Sequence, residues 1–239
     1  MVETLVILNI IRFILGLSIL SFASYTDIKT RKASNILWII MGIIGIILLL
    51  IQYFTLGFEN LFYLLFIPIM IGLIYALYQL RLIFGGADAK AIMALAILVP
   101  IEPTIGIIPL WKDGIMPSSW TIFANSLILF LIIPISIFIY NATKKNVHIP
   151  YSFLGYKMNT QKAKEKFVWP IEQLVDGKRK FIYMPKDIDA KEEFEEFEKN
   201  NIKEIWVTPK IPFMVPLTFG FVFTFVFGDI LFHLLSPFY

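Results

Sequence analysis

The sequence predicts an all-α polytopic membrane protein, six transmembrane helices with a small cytoplasmic α+β insert, and three observations lead there. The 239-residue chain is 58% hydrophobic and only 16% charged, with 23 Phe, more apolar than a soluble globular domain. Six stretches reach or approach the about 20 apolar residues that a spanning helix needs. Most of the charged residues fall in one interval, 141–210. The chain therefore divides into a five-helix membrane region over 1–140, a soluble insert over 141–210 and a sixth helix over 211–239.

The six stretches run roughly over 4–26, 36–56, 60–80, 89–101, 120–140 and 211–235. The first lacks an Ala-x-Ala-like cleavage site and is followed by further segments, so it is expected to be a retained span rather than a removed signal peptide. Lys29, Arg31 and Lys32 after the first stretch, and Lys144 and Lys145 after the fifth, place those loops in the cytoplasm by the positive-inside rule. Counting spans from there puts Arg81 and Lys90 on the same side. Glu59, Glu102, Lys112 and Asp113, with no basic excess, fall on the other side, and both termini are expected outside.

The fourth stretch is short because Pro100, Pro103 and Pro109 follow it. About a dozen residues at about 1.5 Å rise do not cross a ~30 Å hydrocarbon core. Such a helix has to be sheltered by protein or line a polar recess beside Asp88, unless the Pro-rich part rides on the outer surface. Pro212 and Pro216 open the last stretch, where proline is tolerated as a helix begins.

Within the insert, Phe167–Leu174 and Arg179–Met184 have strand composition and are separated by Val175-Asp176-Gly177-Lys178, a hairpin signal. Asp187 or Asp189 can cap a short helix through Asn200, and Ile202–Thr208 is expected to form another strand. The absence of cysteine excludes disulfides, thiolate nucleophiles, Cys-ligated zinc and iron-sulfur clusters. His148 and His233 do not make a zinc site on their own, so no metal and no organic cofactor is expected. A net charge of +3, dispersed and without a recognition motif, argues against nucleic acid as a partner. The lipid bilayer is the expected surroundings.

Two aspartates carry the chemistry. Asp27 closes the first apolar segment in Ser24-Tyr25-Thr26-Asp27-Ile28-Lys29, and Asp88 opens the fourth in Gly85-Gly86-Ala87-Asp88-Ala89-Lys90. Taken singly, Asp27 is an ordinary juxtamembrane charge and Asp88 an ordinary acid favoured by a helix dipole. On the expected topology, however, both sit at the cytoplasmic level, where ionisable groups face a bundle interior or a water-filled recess. Two carboxylates that meet there repel and share one proton. That arrangement suits amide hydrolysis, one carboxylate taking a proton from water and the other donating one. The glycines before Asp88 permit a close approach of backbone that a Cβ would obstruct.

These features resemble the preflagellin peptidases, archaeal relatives of the type IV prepilin peptidases among the GxGD-type membrane aspartyl proteases. The resemblance covers nearly the whole chain: six spans, Asp27 to Asn35 after the first, Gly85, Gly86, Ala87 and Asp88 opening the fourth, and an insert before the last. It implies that Asp27 and Asp88 are the catalytic pair and that Gly85, Gly86 and Ala87 support them. Ala87 stands where the family's name has its second glycine. The larger bacterial prepilin peptidases carry a Cys-rich zinc segment and methylate the new N-terminus; without cysteine, methylation is not expected here. The Pro212–Pro216 stretch is similar in placement to the proline-containing segment that supports the site in presenilin-type relatives. The implied substrates are preflagellin or other pilin-like precursors with a short basic leader and a hydrophobic helix, cut near the cytoplasmic face of the cell membrane.

Other readings remain at this stage. A prepilin peptidase for another pilin-like system shares every motif. A proton-coupled transporter would predict related halves and helices broken at mid-membrane, and no internal repeat is visible; a secretion-complex scaffold gives no reason for matched aspartates. Two secondary features complete the list. The acidic run Glu192, Glu193, Glu195, Glu196 and Glu198 can attract a cationic leader, or form a solvated helix face with Phe194 and Phe197 turned inward. Arg12 and Asp229, each about two turns from the outer end of its segment, are expected at matching depth as a structural pair, or else reach the interface separately.

Overall fold

Uninterrupted runs of Ile and Leu with no interior proline produce two long helices at the start of the chain, α1 (Val2–Thr30) and α2 (Asn35–Thr55). They are separated by a sharp stop. Arg31 takes a left-handed backbone conformation, as residues just past a helix end commonly do, and the Ser34 side chain accepts from Ile36 N to cap α2. The computed structural model describes residues 2–58, 60–80, 82–83, 85–111, 116–175, 177–182 and 191–236. A 3-10 turn, Leu61–Leu65, leads into α3 (Phe66–Gln79), followed by α4 (Gly86–Leu98) and α5 (Ser118–Phe130). The helix then breaks at Leu131 before α6 (Ile132–Thr143), because Pro134 has no N–H and its ring crowds the carbonyl of Phe130.

The remaining elements are α7 (Tyr151–Leu154), β1 (Tyr156–Asn159), α8 (Thr160–Lys164), β2 (Val168–Pro170), β3 (Glu172–Val175), β4 (Lys178–Phe181), α9 (Lys191–Lys199), β5 (Glu204–Pro209), α10 (Met214–Val226) and α11 (Ile230–Leu235). Asp176, Met184, Asp187, Asp189, Glu59, Arg81, Lys112 and Asp113, which entered the expectations above, lie outside the described residues. Among the described residues, four stretches are long and apolar enough to cross a membrane: Val2–Thr30, Asn35–Thr55, Leu61–Gln79 and Ser118–Thr143. The stretch expected at 89–101 forms α4, and that at 211–235 is divided into α10 and α11; α4 and α10 have 13 residues each, so each is about 20 Å long. Among the described residues, four of the six expected stretches therefore have the length of a full span.

By packing, the chain forms two units, Met1–Phe130 with Pro212–Tyr239, and Leu131–Ile211. The first is built around α4. Its sequence, Gly-Ala-Asp-Ala-Lys-Ala-Ile-Met-Ala-Leu-Ala-Ile-Leu, is apolar on nearly every side, as befits a helix surrounded by protein. Ala91, Leu95, Ala96 and Leu98 have no solvent exposure at all. The helix packs against α2, α3 and α5, while α10 packs on α1 and α5. Close approach of α2 depends on Gly45, where an added Cβ would lie 3.0 Å from the main chain of Leu98. Gly45→Leu is expected to push α2 off α4 and cost about 1–3 kcal/mol or more, as overpacking does. Gly42, whose nearest neighbour would be the flexible tip of Ile97 at 3.8 Å, should accept alanine; melting of both purified variants in detergent checks the contrast. The opposite faces of α1 and α2, among them Ile7, Ile14, Phe22, Ile39, Ile43 and Leu50, are exposed and suited to lipid.

The second unit has an antiparallel sheet in the order β1-β5-β2, and a separate hairpin, β3-β4, in which Val175 faces Lys178. Gly177 adopts a positive φ of 72°, the conformation a two-residue hairpin turn requires. The expected strand over Phe167–Leu174 is divided into β2 and β3 at Ile171. The helix α9 turns Phe194 and Phe197 into a core with Ala163, Val168, Ile205 and Val207, leaving Glu192, Glu195 and Glu196 in solvent. Glu172 is buried, accepting from Trp206 N at 3.1 Å and Arg179 Nε at 2.6 Å, so its charge is fully partnered.

Candidate functional site

Asp88 owes its position to the start of α4. Gly85 is the residue before the helix, with φ −89° and ψ 113°, and Asp88 lies in the first turn. The aspartate side chain folds back over Gly85 so closely that an added Cβ there would stand 2.0 Å from Oδ2 and 2.7 Å from Cγ. Gly86, next along, faces the Tyr78 hydroxyl, which an added Cβ would meet at 3.3 Å.

Asp27 occupies the last turn of α1, which continues past the apolar stretch to Thr30. Both carboxylates are partly buried. Asp27 is near enough for its charge to act on Asp88. Two further groups bear on Asp27: the charge of Arg31 and the backbone amide of Met214 in the first turn of α10. Lys90 Nζ donates to Asn35 Oδ1 at 2.9 Å. That bond ties the start of α2 to the start of α4, and so joins the two motif segments directly.

The sequence did not single out Met214, Ser24 or Thr218, which line the contact between α1 and α10. Ser24 Oγ is 2.9 Å from the Met214 carbonyl and 2.8 Å from Thr218 Oγ1. The available signal was the spacing of Ser24 from Asp27, which puts both on one helix face, and the proline-marked start of α10. Nothing local shows that those two faces meet.

The secondary features resolve differently. Arg12 does not pair with Asp229 among the described residues. Its guanidinium donates to Asn9 Oδ1 at 2.9 Å and Gln52 Oε1 at 2.8 Å, while Asp229 accepts from Phe232 N at 3.0 Å and Thr121 Oγ1 at 3.4 Å. The reason is the break after α10: Gly228, with φ 100°, ends the segment and leaves Asp229 as the cap of α11 instead of a mid-helix charge. In the acidic run, Glu198 is bonded to Lys164 at 2.6 Å, and the inward Phe194 and Phe197 match the solvated-face arrangement. His148 packs edge-on against Trp206 and His233 stacks on Trp111.

Two aspartates at helix ends in an apolar bundle are an arrangement suited to aspartic-type peptide hydrolysis, and similarity to known proteins gives the class, a peptidase. The chain belongs to the type IV leader peptidase family, whose model matches residues 14–140. Residues 147–230 match a second model, Archaeal Peptidase A24 C-terminus Type II. Relatives align along nearly the whole length. The preflagellin peptidase of Methanocaldococcus jannaschii is 30% identical over 92% of this chain and 94% of its own. Those of Methanococcus voltae and Methanococcus maripaludis are each 27% identical over 95% of this chain, and over 99% and 100% of theirs.

Proposed function

We propose that this protein removes the short basic leader from preflagellin precursors at the cytoplasmic face of the cell membrane, as a multi-pass protein that uses Asp27 and Asp88 as its catalytic pair. The observation that carries the reading is the convergence of the two aspartates, from segments 61 positions apart in sequence, within reach of each other's charge. The full-length similarity to preflagellin peptidases supports the substrate class.

In this reading the ionised carboxylate accepts a proton as water attacks the scissile carbonyl, and the protonated partner donates its proton to the developing oxyanion; the first carboxyl then passes the water's proton to the leaving amine as the C–N bond breaks, and its partner takes a proton back from the diol as the carbonyl re-forms. Water adds across the C–N bond and the pair ends with its one proton restored. A site at the helix ends lets the precursor's hydrophobic helix stay in lipid while its leader remains in water. The bond reaches the pair without being carried across the bilayer.

Membranes containing the protein should convert tagged preflagellin to the shorter form, with the new N-terminus at the junction of leader and hydrophobic segment by peptide sequencing. A pilin-like precursor with a different leader should be cut at least about tenfold more slowly. Faster cutting of that precursor would move the assignment to another pilin-like system, and cutting of neither would remove it.

A further inference from the structure

The contact between α1 and α10 contains a device the two aspartates alone do not explain. Ser24 and Asp27 lie on one face of α1, and both address a single residue, Met214. The Ser24 hydroxyl meets the Met214 carbonyl at 2.9 Å, and the Asp27 carboxylate faces the Met214 amide. Met214 is the first residue of α10, where amides have no acceptor within the helix. Of the next two positions, the Val215 amide is spent on Pro212 O and Pro216 has no amide. The prolines thus leave Met214 as the donor of this turn that can serve Asp27.

The other side of Met214 is held as firmly. Thr218 Oγ1 also reaches the Met214 carbonyl, at 2.8 Å, and lies 2.8 Å from Ser24 Oγ. Three contacts are shared by two hydroxyl protons, so the hydroxyls form a chain in which one donates to the other and the second donates to the carbonyl. Ser24 is buried, 8% exposed, and Met214 is completely so. Water is therefore a poor substitute if the serine hydroxyl is lost, and Ser24 is the member of this chain that comes from α1.

We propose that Ser24 is a positioning residue for Asp27: it docks the last turn of α1 on the first residue of α10, keeping the Met214 amide against the carboxylate and the carboxylate aimed at Asp88. The inference rests on the catalytic reading of the two aspartates. A carboxylate that must abstract a proton tolerates little displacement, an error of about 1 Å costing on the order of 100-fold. Ser24 and Met214 are both buried and so offer little surface to the substrate helix or leader. Loss of Ser24 should consequently appear in kcat and not in KM.

The test is steady-state cleavage of tagged preflagellin by the full-length protein reconstituted in liposomes. Ser24→Ala and Ser24→Cys, the second nearly preserving volume while offering only a weak donor, should each lower kcat at least about tenfold with KM within twofold. Ser24→Thr, which retains a hydroxyl, should recover most of the rate. Wild-type kcat in Ser24→Cys, or a loss confined to KM, would overturn the proposal. Asp27→Asn and Asp88→Asn run beside them: if these still cleave, the catalytic reading fails and this one with it. If both are dead while Ser24→Cys is normal, only the positioning role is lost.

Discussion

Asp27→Asn and Asp88→Asn are each expected to lower precursor cleavage by at least about 100-fold while the protein accumulates and melts normally in detergent. Asparagine preserves the size and planarity of the side chain, so packing of α1 and α4 is retained, but it neither accepts the proton of an attacking water nor donates one as a carboxylic acid does. Loss of a positioned acid or base typically costs about 10²- to 10⁴-fold. Because both groups are partly buried and interact, the double variant should be hardly worse than either single one, as for residues that act as a unit. Asp27→Glu retains the charge but advances it by a methylene, and should fall between. Near wild-type cleavage in either Asn variant, with normal accumulation, would show that residue to be a topological charge.

Gly85→Ala is expected to be nearly as damaging, for a different reason. The backbone at Gly85, φ −89° and ψ 113°, is open to any residue, so alanine creates no conformational strain there. What it creates is a collision, with its Cβ 2.0 Å from Asp88 Oδ2. A short side chain has no way to yield locally, and the carboxylate must rotate out of its place. Activity should fall by about 100-fold with little change in melting temperature. Gly86→Ala, whose Cβ would press only on the Tyr78 hydroxyl at 3.3 Å, should cost distinctly less. Equal losses in the two variants would mean that the pair of glycines serves chain flexibility and not the seat of Asp88.

Much of the site was legible because it is local. The segments Asp27–Asn35 and Gly85–Lys90 each form one helix boundary, and the composition of each boundary declares itself: charge and Ser34 at one, two glycines and an acid at the other. The hairpin at Val175–Lys178 was legible for the same reason, since a two-residue turn with glycine sets the register of β3 and β4 by itself. β1 was not foreseen: it is four residues long, half exposed, and is a strand because it pairs with β5 nearly fifty positions later. Arg12 and Asp229 were matched by depth along two ideal spans, and the break at Gly228 removed the premise.

By itself, the sequence determined the apolar character of the helices, the concentration of charge in the insert and the two aspartates as the candidates for catalysis, since each follows from residue type and short-range spacing. Tertiary structure alone decided which neighbours enclose the short α4, that the Asp88 carboxylate folds back into the space left at Gly85, and that Ser24 and Asp27 converge on Met214. The first and the last are meetings of different helices, governed by which faces pack together, while the fit at Gly85 lies within the first turn of α4 and follows from the direction the Asp88 side chain takes. In an apolar bundle almost every face is hydrophobic enough to pack, so hydropathy does not select among them. Close fit and a few buried hydrogen bonds do.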